Sequence, residues 1–479
     1  MNARLVAFTV SSTIPARPRK SAQLSRLMQR FCMLAFILLL LPRISPAYSV
    51  LTHEAIVDSS WDTGIKPLLL ARYPNSSEDE LREAKSYAYG GCVIQDLGYY
   101  PFGSHLFTDL LHYVRSGDFV QNMLRDAQSE DEYAFALGAV AHFFADSIGH
   151  PIGINRSVPL AYPKLRQKFG NIVTYEQGKK EHVLVEFSFD VTQVAASAYA
   201  PDAYHAFIGF QVAKPLLERA FQETYGLEMK DIFFSEDLAI GTYRRAVSKT
   251  IPHMTRVAWS QKHDQIAKLV PGIQRKKFIY RMSRKEYRKD FGGTYVSPSF
   301  SARFLSFLLR TIPKIGPFRA LSFKPPTPQM ETLFQESFRL TTQRYGEALR
   351  EVKSTGVMLP NKDFDTGAPT KIGEYALADE TYTQLLDKLA GQNFKGLSAT
   401  LGSDIVRFYA SAASDPAPKK EKKRWEKTQK ELDQLKSATA EIEILPDDQQ
   451  TGDASASSEV IFEQIRPTGT ALLDSDGPQ

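Results

Sequence analysis

The sequence predicts an all-α protein, on three observations. From Glu78 to about Val247 apolar residues recur at helical spacing, most clearly between Ser129 and Gly149, where Tyr133, Ala134, Ala136, Leu137, Val140, Ala141 and Phe144 mark one stripe. Helix punctuation brackets that stretch: Ser129 precedes Glu130 and Asp131 at its start, and Gly149-His150-Pro151 closes it. No convincing run of alternating apolar and polar residues occurs. Hydrophobic residues make up 43% of the 479, enough for a sizeable core.

The elements follow in chain order. Residues 1–47 read as an export signal. Arg17, Arg19, Lys20, Arg26 and Arg30 precede the apolar run Phe31 to Leu41, too short to span a bilayer comfortably and suited to a signal core. Ser45-Pro46-Ala47 offers small residues where a signal peptidase reads, so cleavage after Ala47 leaves Tyr48 at the mature N-terminus. Met28 is an alternative start, and an uncleaved anchor is the alternative to cleavage. The mature chain is expected to be exported, periplasmic or secreted, and membrane-associated. Of the two cysteines, Cys32 goes with the leader, so Cys92 has no internal disulfide partner.

Residues 48–270 form the main helical domain, with a second long helix at Lys179 to Ala195 after Gly178. Residues 271–325 differ: thirteen Lys/Arg against Glu286 and Asp290 give +11, while the whole chain is +5. Phe278, Ile279, Tyr280, Phe304, Leu305, Phe307, Leu308 and Phe318 interleave with this charge, a composition suited to an anionic lipid surface. A solvated basic surface is the plainer alternative. A helical extension follows over 326–413, with helices at Pro328–Val352 and Asp379–Ala390. Over 414–479 come a charge-rich, solvent-facing helix at Lys419–Lys436 and, from Pro446, a disordered tail.

Six of the nine histidines fall between residues 53 and 182: His53, His105, His112, His142, His150 and His182. His142 and Asp146 are an i, i+4 pair that shares one helix face, Asp146 and His150 repeat the step, and His182 and Glu186 make a third pair. One such pair is more often a packed histidine with a carboxylate neighbour. Several, on apolar helices, bury polar groups that need partners. Imidazoles and carboxylates are the donors zinc takes when thiolates are lacking. His205, His253 and His263 sit in contexts of packing or solvation. Trp61, Tyr99 and Tyr100 suit core packing better than a cleft.

In order and spacing, Tyr48 to about Ala195 resembles the zinc-dependent phospholipase C and S1/P1 nuclease superfamily, closest to bacterial zinc-dependent phospholipase C domain proteins. The resemblance implies a multi-helix domain holding two to three zinc ions in one cleft. It implies Tyr48 as a ligand through its amine and carbonyl, then His53, Asp96, His112, His142, Asp146, His150, His182 and Glu186. Asp96 would also orient or deprotonate the attacking water, which makes it the expected catalytic residue. Three features depart from the family pattern. Tyr48 stands where tryptophan is usual, the step from Asp146 to His150 is short, and His105 competes with His112 for one position, with the Leu-His-Tyr context favouring His112. If the amine of Tyr48 is a ligand, the uncleaved precursor lacks one complete metal site, a hypothesis resting on the spacing from Tyr48 to His53. The expected activity is phospholipase C-like hydrolysis of a phospholipid phosphodiester at a membrane surface. Its competitors are an S1/P1-type single-strand nuclease acting on nucleic acid and a non-enzymatic zinc-containing envelope protein. No protein partner is identifiable.

Overall fold

The computed structural model describes residues 50–195, 210–247, 264, 323–410 and 419–444. The expected leader, nearly all of the basic segment, His205, His253, His263 and the expected tail lie outside the described residues. Within them the protein is helical, with no strand and one isolated bridge between Lys362 and Pro369. No described helix is long and apolar enough to cross a membrane.

The helices in order are α1 (Val50–Ser60), α2 (Lys66–Arg72), α3 (Glu78–Val93), α4 (His105–Tyr113), α5 (Ser116–Asp126), α6 (Glu130–Gly149), α7 (Asn155–Ala161), α8 (Pro163–Phe169), α9 (Tyr175–Ala195), α10 (Lys214–Tyr225), α11 (Glu236–Arg245), α12 (Pro328–Ser354), α13 (Ala376–Gly391), α14 (Ala399–Ala410) and α15 (Lys419–Ile444). Their ends follow from local chemistry. Ser77 and Glu80 form a reciprocal capping box at the start of α3. The Ser129 hydroxyl accepts from the Glu132 amide at 3.2 Å to start α6, whose first turn is acidic as the helix dipole favours. The predicted stop after Gly149 takes the form of a π turn, His150–Ile154, which feeds directly into α7. Gly178 breaks α9 with φ −151° and ψ 47°, so the regular helix begins where the sequence suggested.

The centre of the fold is the pairing of α3 with α6. A Cβ on Gly91 would lie 1.8 Å from the Phe135 carbonyl oxygen, and one on Gly138 would lie 2.0 Å from that of Ala88. Glycine at both positions lets the two backbones touch. α12 lies across α6, where the Tyr345 hydroxyl donates to the Leu137 carbonyl at 3.0 Å. α13, α14 and α15 pack together, with Tyr382 and Phe408 stacked at 3.6 Å. α15 is only partly solvated: Thr428, Leu432 and Leu435 are buried, because its apolar residues recur on one face against α13 and α14.

Candidate metal centre

The α3–α6 contact sets up the first cluster. α3 runs into a 3₁₀ turn, Ile94–Tyr99, that carries Asp96. The Thr108 hydroxyl donates to the Gln95 carbonyl at 2.7 Å and accepts from the Gly98 amide at 2.8 Å, tying that turn to α4. α4 presents His112, whose Nδ1 lies 2.8 Å from the Thr108 carbonyl. α6 presents His142 and Asp146, and His142 Nδ1 lies 2.9 Å from the Cys92 carbonyl. A carbonyl can only accept, so both Nδ1 atoms carry the proton and both Nε2 atoms offer a lone pair.

Those lone pairs converge. His112 Nε2 and His142 Nε2 each lie 3.3 Å from Asp146 Oδ2, and His112 Nε2 lies 3.5 Å from Asp96 Oδ1. His53, from α1, stacks on His142 with centroids 4.6 Å apart and brings its Nε2 to 3.5 Å from Asp146 Oδ1 and 3.9 Å from Asp96 Oδ2. Ligand atoms of Asp96, His112, His142 and Asp146 all lie within 4.8 Å of one another. The group is buried, yet Asp96 Oδ1 and Oδ2, Asp146 Oδ1 and Oδ2, His112 Nε2 and His142 Nε2 make no hydrogen bond. Buried polar atoms without partners cost about 1–3 kcal/mol each, more when charged. Donors about 2.0–2.1 Å from a tetrahedral zinc stand about 3.3 Å apart, close to the 3.3–3.5 Å that separate the His112 and His142 nitrogens from the carboxylate oxygens. The donor set therefore fits zinc.

The electrostatics agree with a site built for a cation. Burial drives the His53 pKa down to about 4, keeping its ring neutral. Burial opposes the anion of Asp146, but His142, His112 and His53 outweigh it and hold the carboxyl well below its usual range. Burial likewise opposes the imidazolium of His112, but Asp146 and Asp96 raise its pKa to about 10. Without a metal, a proton fills the cationic role.

The second cluster is formed by the π turn and α9. His150, His182 and Glu186 place ligand atoms within 4.8 Å of one another. His182 Nε2 donates to the Val173 carbonyl at 2.6 Å, which turns Nδ1 to within 3.9 Å of Glu186 Oε1. Neither oxygen of Glu186 has a hydrogen-bond partner, nor does His182 Nδ1. Burial raises the Glu186 pKa well above its ordinary value and lowers that of His182 to about 4. His150 Nε2, 3.9 Å from Asp146 Oδ2, links the two clusters.

Of the residues singled out in the sequence, His53, Asp96, His112, His142, Asp146, His150, His182 and Glu186 thus gather in one buried region. Tyr48 lies outside the described residues. His105 is the exposed first residue of α4, while His112 points into the first cluster. Sequence reasoning missed Asp365, in the segment between α12 and α13. Its Oδ1 sits 3.2 Å from His150 Nδ1. Its only signal was an Asp- and Gly-bearing turn, Asp363-Phe364-Asp365-Thr366-Gly367, inside an otherwise helical extension.

Residues 52–235 match the family model described as "Zinc dependent phospholipase C". No curated protein and no solved structure matches the chain.

Proposed function

We propose, from the match of residues 52–235 to the zinc dependent phospholipase C family model, that the chain is an exported zinc-dependent phosphoesterase that hydrolyses a phospholipid phosphodiester. The observation that carries the metal-dependent part is the convergence of orphaned, buried imidazole and carboxylate atoms in two adjoining clusters. His112 and His142, with Asp146 and Asp96, would hold one ion, and His150, His182 and Glu186 a second. By the family resemblance a third would use His53 and Tyr48. Bound zinc supplies Lewis-acid polarisation of a phosphoryl oxygen and an activated water.

The chain's own residues contribute the rest. Backbone carbonyls of Thr108, Cys92 and Val173 hold three imidazoles in fixed orientation, so their second ring nitrogens are aimed into the clusters before any ligand arrives. Asp96 carries two carboxylate oxygens with no hydrogen-bond partner, one of which can accept the proton of an attacking water. Burial lowers the local dielectric, which strengthens every charge interaction at the phosphoryl group. The basic, apolar stretch 271–325 supports a phospholipid surface as the partner.

One observation favours a second reading. His112, His150 and the other cluster residues are at most 3% exposed, as in a closed structural zinc site. Elemental analysis of the chain starting at Tyr48, followed by assays on phosphatidylcholine vesicles and on single-stranded DNA, separates the readings. Two to three zinc ions with phosphodiester cleavage in the vesicles supports the proposal. Cleavage of DNA alone supports the nuclease. Zinc without either activity supports a structural site, and no zinc under metal-replete conditions overturns the metal centre.

A further inference from the structure

The segment between α12 and α13 folds into the site from far downstream of the matched residues 52–235. Its turn is held at several points. The Phe364 amide donates to the His112 carbonyl at 3.1 Å, and the Phe364 ring packs 5.3 Å from that of His112 and 6.0 Å from that of His142. Asp363 Oδ1 accepts from the Asp365 amide at 2.8 Å. Gly367 takes φ +72°, and a Cβ there would lie 2.5 Å from the Ser147 carbonyl oxygen of α6, so the turn lies directly on that helix.

Asp365 is the buried acid that this turn delivers. Its carbonyl accepts from Asn155 Nδ2 at 2.7 Å, and its Oδ2 accepts from the Tyr175 amide at 2.9 Å, where α9 begins. Those bonds leave Oδ1 with no hydrogen-bond partner, 3.2 Å from His150 Nδ1, itself unpartnered. Asp365 is not in the set whose ligand atoms converge, His150, His182 and Glu186, and it touches that set through Nδ1 of His150. His112, His142 and His182 each have a backbone carbonyl against one ring nitrogen. For His150 a carboxylate stands in that position.

We infer that Asp365 is a positioning residue of the second metal site: its Oδ1 takes the Nδ1–H of His150, fixes the tautomer and aims Nε2 at the ion. The domain matched by the family is then incomplete without a residue from the extension. This rests on the metal-centre reading. Loss of such an outer partner lowers metal affinity by about 10–100-fold.

The test uses the full mature chain and three variants, Asp365→Asn, Asp365→Ala and His182→Ala. Zinc retained per chain is measured against a graded chelator, with thermal melting of each metal-free form as the control on folding. Asn keeps an oxygen for the Tyr175 amide but cannot accept from His150 with its NH₂ group; Ala loses both. The expected result is that Asp365→Asn and Asp365→Ala both release one zinc at about 10–100-fold lower chelator than the parent, the same ion that His182→Ala lacks. An Asp365→Asn variant that holds zinc as the parent does, beside a weakened and less stable Asp365→Ala, would show a structural anchor and overturn the inference. A parent chain that binds no zinc would overturn the metal-centre reading itself.

Discussion

The two clusters are built differently. In the first, Asp96, His112, His142 and Asp146 come from helices that follow one another closely in the chain, and two backbone contacts through glycine hold those helices together. In the second, His150 stands on a π turn, His182 and Glu186 stand on a helix with a break at Gly178, and the buried carboxylate behind His150 arrives from residue 365. The extension reaches the first only through packing of Phe364 on His112 and His142, whereas in the second it brings a carboxylate to a ligand, so substitutions that spare the shared Asp146 should affect the two unequally.

The largest effect is expected from a His142→Ala/Asp146→Ala double variant. Asp146 touches His53, His112, His142 and His150, so its loss removes the hub of both clusters. In the proposed reaction a metal-activated water supplies most of the chemistry, so phosphodiester hydrolysis should fall by several orders of magnitude, with zinc absent by elemental analysis. Retained zinc in this variant would mean that the ions sit elsewhere.

A Gly91→Ala variant probes the first cluster through its scaffold. The new methyl would meet the Phe135 carbonyl and push α3 from α6, which separates Cys92 and Asp96 from His142. Overpacking of this kind costs about 1–3 kcal/mol. Urea unfolding of the metal-free protein should register the loss, and chelator competition should show the first ion weakened before the second. Equal weakening of both would mean that the clusters are one mechanical unit.

A precursor that keeps residues before Tyr48 should bind one zinc fewer than the mature chain, because its Tyr48 nitrogen is an amide whose lone pair is delocalised into the carbonyl. Equal zinc content in the two forms would remove Tyr48 from the site.

The smallest effect is on pH dependence. The His182 pKa, lowered by burial to about 4 from 6.5, means that the unfolded chain binds a proton that the folded chain refuses between those values. Stability of the metal-free protein from this group therefore falls as pH drops from 6.5 toward 4. The slope of melting temperature against pH in that window should be shallower in His182→Ala than in the parent. His53 has the same sign and the same window, so His53→Ala should flatten the curve likewise.

Much of the helical domain was legible because its signals are local. The stripe from Tyr133 to Phe144, the Ser129 cap and the i, i+4 spacing of His142 with Asp146 and of His182 with Glu186 need only the 3.6-residue period to be read. The same holds for α12 and α13, found within a few residues of their expected ends. The partly buried face of α15 was hidden by its charge: Leu432 and Leu435 are few among many lysines and glutamates, and their burial depends on α13 and α14 being there.

By itself the sequence determined an all-α chain, the residue types of a zinc site and the pairs that share a helix face, since these depend on composition and on a fixed helical repeat. Only the tertiary structure decided that Gly91 and Gly138 bring two helices into backbone contact, that His112 and not His105 faces His142, and that Asp365 stands behind His150. Contacts between residues distant in the chain follow from packing, which no local period encodes.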